Sequence, residues 1–185
     1  FLIILVMSCN TSVENESSTF RNTGLLSEIE PDMKPKVMAL TPIIADWVNQ
    51  ITGDQMVIDS IIPRDIDSHS YQPGAKDIVR ITESDLVFLV GLGYEDRWLS
   101  ELLANHTDIK IILLGELISP LKARYLEDDY DPHFWFDITR VNLAVNVIAA
   151  ELSLLDPGSE VYYKRRASAY LTELEILDNS ISDLI

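Results

Sequence analysis

Residues 36–62 read KVMALTPIIADWVNQITGDQMVIDSII and contain the signals for a strand, a helix and a second strand. The apolar run 36–40 predicts the first strand, and residues 42–52 predict a helix with Pro42 in its first turn. Residues 56–62 predict the second strand. A helix between two short apolar strands is typical of a parallel pair joined by a right-handed crossover.

The same alternation of strands and helices continues along the chain. We expect helices at 75–82, 95–104 and 139–155, and strands at 85–90 and 110–114. The sequence therefore predicts an α/β fold, with a small parallel four-stranded (βα) lobe at 36–156 and a long connecting helix at 157–185. Because neither glycine nor proline follows Gly158, we expect the sequence to stop inside that helix.

Composition and charge limit the classes of partner. Of the 185 residues, 47% are hydrophobic and 24% are charged, which is ordinary for a globular protein. Thirty acidic and 14 basic residues give a formal net charge of −16, which argues against binding to nucleic acid or to an anionic lipid surface. A cation is a natural partner. With one cysteine in the chain, a bound metal would be held by nitrogen and oxygen.

The N-terminus has the pattern of a lipoprotein leader. The chain opens on the apolar residues 1–7, and Ser8 precedes Cys9. We interpret residues 1–9 as the end of a signal peptide with cleavage before Cys9, and residues 10–35 as a flexible tether. The alternative is a buried N-terminal strand that contains an inert cysteine.

Two of the three histidines share a local pattern of Asp-x-His-x-aromatic. These are DSHSY at 67–71 and DPHFW at 131–135. Both copies follow predicted strands, and the carboxyl ends of parallel strands lie at one edge of a sheet. We therefore expect His69 and His133 to meet there as metal ligands. His106, between a helix and a strand, is expected to be a solvated turn residue.

Neighbouring side chains match the needs of a metal-binding imidazole. The second ring nitrogen requires an acceptor that fixes the tautomer, and Asp67, Asp131 and Asp137 are candidates. Tyr71 and Trp135 either form an apolar wall at the site or pack into the core. The acidic residues 127–129 together with Asp131 either concentrate a cation near His133 or form a solvated loop. Two imidazoles need at least two further donors to close a zinc site.

Five ordered motifs carry a resemblance to one family. Residues 36–185 resemble the N-terminal lobe and connecting helix of the zinc/manganese solute-binding lipoproteins of bacterial ABC importers, called cluster A-I or cluster 9. One motif differs from the family pattern D-P-H-x-Y-x-P because Ser68 replaces its proline. The matching segments are TPIIAD at 41–46, DSHSYQP at 67–73, GLGYEDRWL at 91–99, DPHFWFD at 131–137 and LDP at 155–157.

The resemblance implies a function and a set of site residues. His69 and His133 would be two of four ligands to Zn²⁺ or Mn²⁺, and the other two would lie beyond Ile185 in a second lobe. Cys9 would carry the lipid that anchors a monomer outside the cytoplasmic membrane, either in the periplasm or on the outer face. The partner would be the membrane permease of an ABC importer. The protein would bind and deliver metal without catalysing a reaction.

Two other classes of function remain open from the residues alone. A metal-dependent hydrolase would need an open coordination position and a general base. The chain contains none of the motifs HExxH, G-x-S-x-G, G-x-G-x-x-G and Walker A. Their absence argues against an enzyme but does not exclude a hydrolase. A surface adhesion or interaction module would be indifferent to divalent ions in its thermal stability.

Overall fold

A computed structural model describes residues 34–123 and 130–184. Cys9, the predicted leader, the acidic residues 127–129 and all but the last two residues of the predicted tether lie outside this part. The described strands are β1 (Lys36–Ala39), β2 (Val57–Ser60), β3 (Leu86–Leu89) and β4 (Ile111–Leu113). The described α-helices are α1 (Pro42–Thr52), α2 (Ala75–Thr82), α3 (Asp96–Asn105), α4 (Ile138–Leu155) and α5 (Glu160–Ser182).

The strands form one parallel sheet with the order β2-β1-β3-β4. This confirms the predicted four-stranded α/β lobe followed by a long helix. The helices α1 and α2 have the predicted bounds, because clear signals mark their ends. Thr41 caps α1 by accepting a hydrogen bond from the Ile44 backbone N–H, and Gly53 ends it with a positive φ of 57°.

The strands are shorter than predicted. Residues 110–114 were expected to be extended, but β4 stops at Leu113 and a 3₁₀ turn follows at Leu114–Leu117. The chain bends there because the Gly115 backbone N–H donates to the Val90 carbonyl oxygen at 2.7 Å. A side chain at Gly115 would collide with Leu92, since an added Cβ would lie 2.7 Å from its side chain.

The core lies around the central strand β3. All four of its residues are fully buried, as expected for a parallel strand that is covered on both faces. Helix α1 contributes Ile44, Val48 and Ile51 to this core, and α4 contributes Val145, Ile148 and Leu152, all of which are fully buried. Helix α4 is long and apolar enough to cross a membrane. Its apolar character is explained by the face that it buries in the core of this lobe.

Helix α5 begins after a Pro157–Ser159 turn and packs against α1 and α4. Tyr163 is fully buried, and its hydroxyl donates to the Asp156 carboxylate at 2.7 Å. The apolar side chains of α5 are covered only in part, because Leu174 is buried whereas Leu177 and Ile181 are about half exposed.

Candidate metal site

His69 and His133 meet through their ring nitrogens. The two Nε2 atoms are 3.1 Å apart, and the ring centroids are 5.1 Å apart at an angle of 48°. Two imidazoles bound to one tetrahedral Zn²⁺ at about 2.0–2.1 Å place their nitrogens about 3.3 Å apart. The separation in this structure therefore suits two ligands of a single metal ion.

The loop of His133 aims Nε2 toward His69. The Asp131 carboxylate lies 2.7 Å from His133 Nδ1 and also accepts the His133 backbone N–H at 2.9 Å. These two bonds, the backbone one first, lower the pKa of Asp131 and keep it ionised. An ionised acceptor at Nδ1 places the ring proton there, so that the lone pair of Nε2 is available to a metal.

The other two candidate acceptors have different roles. Asp67 accepts the His69 backbone N–H at 3.2 Å, and this bond lowers the pKa of Asp67. The bond restrains the backbone of the loop and does not orient the His69 imidazole. Asp137 is the N-cap of α4, where it accepts the Thr139 backbone N–H at 2.9 Å and pairs with Arg140. In the described part of the chain, Asp131 is thus the carboxylate that contacts an imidazole of the pair.

Aromatic rings surround the two histidines. The Trp135 ring packs edge to face against His133, with centroids 5.2 Å apart. Tyr71 is half-buried beside the site, but its hydroxyl donates to Asp77 at 2.8 Å, and burial and that bond raise the pKa of Tyr71 to about 12. The ring that packs on His69 is that of Tyr94, with centroids 5.1 Å apart.

Tyr94 is the site residue that sequence reasoning missed. It lies in the loop after β3, at the carboxyl edge of the sheet where ligands gather. Its position in the GLGYED segment directly after that strand was the available signal.

The described residues bring two imidazole nitrogens together without completing a set of metal ligands. Among them no group of three or more His, Cys, Asp or Glu side chains is arranged to hold a metal ion. His106 is half-buried at the C-cap of α3 and lines a cleft with Trp98 and Pro73 instead.

Glu95, directly before α3, is a buried carboxylate behind the site. It is 1% exposed, and its two oxygens accept the backbone N–H groups of Val90 at 2.6 Å and Gly91 at 2.9 Å. Burial raises the pKa of Glu95 from 4.5 to about 7 in spite of these bonds, and the nearby Asp96 carboxylate adds to the rise.

The raised pKa of Glu95 predicts a pH-dependent stability. Because the folded state holds this proton more tightly than the unfolded state, the free energy of unfolding should fall as pH rises from about 4.5 to about 7. In wild type this fall should amount to at most about 3 kcal/mol, and it should be absent from the Glu95→Gln variant, which has no carboxyl group to titrate there. Urea unfolding across this pH range measures it, with Glu101→Gln on the exposed side of α3 as control. Identical slopes for wild type and Glu95→Gln would contradict the assignment.

Known proteins resemble the chain in both sequence and structure. The family model described as zinc-uptake complex component A, periplasmic, matches residues 37–185. The manganese-binding lipoprotein MntA of Halalkalibacterium halodurans is 30% identical over 184 residues, which is 100% of this chain and 57% of that protein. The manganese ABC transporter substrate-binding lipoprotein PsaA of Streptococcus mitis is 30% identical over 158 residues, or 81% of this chain and 51% of that protein.

A solved structure agrees with these matches. The crystal structure of a zinc-bound ZnuA deletion mutant superposes with a TM-score of 0.76 at 30% identity, and covers 80% of this chain and 57% of that one. The chain spans about half the length of the curated relatives it matches. The resemblance drawn from the five motifs is confirmed, and the chain belongs to the family of periplasmic zinc-uptake complex component A proteins.

Proposed function

We propose that this protein captures a divalent transition metal ion, zinc or manganese, outside the cytoplasmic membrane and delivers it to the membrane permease of an ABC importer. The observation that carries the proposal is the 3.1 Å approach of His69 Nε2 and His133 Nε2. Relatives whose names state manganese or ABC-transporter substrate binding, and a zinc-bound neighbour, support the same class of cargo.

We propose that the metal is captured by two imidazole nitrogens that already lie close together. Each imidazole gives one lone pair, and Asp131 keeps that of His133 free by holding the proton on Nδ1. A net charge of −16 attracts cations to the protein surface. The other donors come from outside the described residues, so that parting the two sets of ligands would release the ion.

The proposal assigns the parts of the chain as follows. Residues 36–156 form the metal-binding lobe, and α5 belongs to the connecting helix at 157–185. Residues 1–9 are the lipoprotein leader and 10–35 the tether. Binding and release need neither a general base nor an open coordination position, which separates this function from that of a metal hydrolase.

Deletion of the gene in the source bacterium tests the transport role. We expect the deletion strain to accumulate less zinc or less manganese in metal-limited medium, and the metal that falls identifies the cargo. Total cell metal is measured by inductively coupled plasma mass spectrometry, with the wild-type gene restored in trans as control. Unchanged zinc and manganese contents would contradict an importer function.

The proposed anchor makes a separate prediction. Cys9→Ser should move the protein from the membrane fraction to the soluble fraction, because a thioether-linked lipid cannot form on serine. Detergent phase partition of cell extracts measures the distribution, and Ser18→Ala in the tether is the matched control. Continued membrane association of Cys9→Ser would exclude Cys9 as the lipidated residue.

A further inference from the structure

The loop between β3 and α3 has an unusual backbone. Gly91, Leu92 and Gly93 have successive positive φ values of 77°, 58° and 81°. Leucine rarely adopts this region, so the loop needs restraint from elsewhere. The Glu95 carboxylate supplies it, because its bonds to the Val90 and Gly91 backbone N–H groups close the loop from behind.

This fixed loop presents Tyr94 to the metal site. Its ring centroid lies 5.1 Å from His69, 6.4 Å from His133 and 6.2 Å from Trp135. Its hydroxyl donates a hydrogen bond to Ser68 Oγ, next to His69 in the chain. Tyr94 therefore contacts the loop of His69 by ring and hydroxyl together.

Ser68 stands where the second copy of the Asp-x-His-x-aromatic pattern has Pro132. Proline restrains the backbone by fixing φ, and serine does not. His69 is itself exposed, and Asp67 holds its backbone rather than its ring. The bond from Tyr94 thus restrains the His69 loop through a side chain, at the place where the His133 loop has the backbone restraint of Pro132.

We propose that Tyr94 is a positioning residue for His69, and that its hydrogen bond to Ser68 restrains the His69 loop as Pro132 restrains the His133 loop. The inference rests on the proposed metal capture by His69 and His133. Tyr94 and Ser68 then contribute to metal binding although neither is a proposed ligand.

The test is a double-mutant cycle on Tyr94 and Ser68. The full-length protein is titrated with Zn²⁺ and its dissociation constant is measured by calorimetry. We expect Tyr94→Phe and Ser68→Ala each to weaken binding about 3- to 10-fold, the range of one net hydrogen bond. The double variant should be no weaker than either single variant, because both changes remove the same bond. Ser68→Thr, which keeps the hydroxyl, should bind as wild type does.

The readouts separate positioning from a general loss of structure. Melting temperatures of the metal-free variants should match wild type, and Tyr170→Phe on α5 controls for removal of a tyrosine hydroxyl elsewhere. Three outcomes would overturn the inference. The losses of affinity in the two single variants could add up in the double variant, or both single variants could bind zinc as wild type does. The variants that lose affinity could also show a lower melting temperature than wild type in the metal-free state. If wild type binds zinc and His133→Ala does not, the metal site stands whatever the cycle shows. If His133→Ala binds as wild type does, the proposed function itself has failed.

Discussion

Replacing His133 or His69 by alanine is expected to weaken zinc binding at least about 100-fold. Loss of a residue that only hydrogen-bonds to a metal ligand already costs about 10- to 100-fold, and loss of the ligand itself should cost more. Each variant removes one of the two nitrogens that lie 3.1 Å apart and leaves the ion a single imidazole in the described structure. The double variant should bind more weakly than either single variant, because each imidazole adds its own bond to those of the donors outside the described residues. Calorimetric titration with Zn²⁺ and with Mn²⁺ measures the dissociation constants.

The matched control for this prediction is His106→Ala. His106 has the same chemistry but lies at the C-cap of α3, so its loss should leave the affinity unchanged. His69 is exposed, and the His133 side chain is 36% exposed, so neither alanine variant should alter the stability of the metal-free fold by more than about 0.5 kcal/mol. Wild-type affinity in either His69→Ala or His133→Ala would remove that residue from the site.

Replacing Asp131 by alanine is the second large effect that we expect, a loss of about 10- to 100-fold in metal affinity. The carboxylate orients the His133 ring through Nδ1 and holds the backbone N–H of the same residue. Without it the ring can rotate, and its proton is no longer confined to Nδ1. Asp131→Asn should fall between wild type and Asp131→Ala, because the amide keeps an acceptor oxygen and loses the charge.

Asp137→Ala provides the contrast to Asp131→Ala. Loss of the α4 N-cap should cost about 1 kcal/mol of stability in urea unfolding while leaving the metal dissociation constant unchanged. A fall in metal affinity as large as that of Asp131→Ala would mean that the two carboxylates act alike at the site. Wild-type affinity in Asp131→Ala would show that His133 needs no acceptor.

The fold could be predicted from local signals. Thr41 and Pro42 start α1 and Gly53 ends it, so its bounds were readable from residue types alone. Strand ends were less readable, because apolar residues such as Leu114 remain buried after the chain has left the sheet. The distinction between a buried strand and a buried turn depends on tertiary hydrogen bonds, which a sequence pattern does not show.

The pairing of His69 with His133 could also be predicted, because both follow strands whose carboxyl ends share one edge of the sheet. The choice among Asp67, Asp131 and Asp137 could not. Each lies near a histidine in the chain, and backbone turns decide whether a carboxylate reaches a ring, a loop N–H or a helix N-terminus.

The aromatic neighbours were only partly predictable. Trp135 does pack against His133, but Tyr94 rather than Tyr71 packs against His69. The position of Tyr94 depends on three successive positive φ values, which only two glycines in the sequence hint at. The roles of Cys9 and of the acidic residues 127–129 stay predictions, since these residues lie outside the described part of the chain.

The most direct test of the central claim is a crystal structure of the protein grown with Zn²⁺ or Mn²⁺, with anomalous diffraction recorded on both sides of the metal absorption edge. The account predicts one anomalous peak between the two histidines, at about 2.0–2.1 Å from both His69 Nε2 and His133 Nε2 for zinc. A fully occupied peak that contacts only one of these nitrogens, or neither, would contradict it.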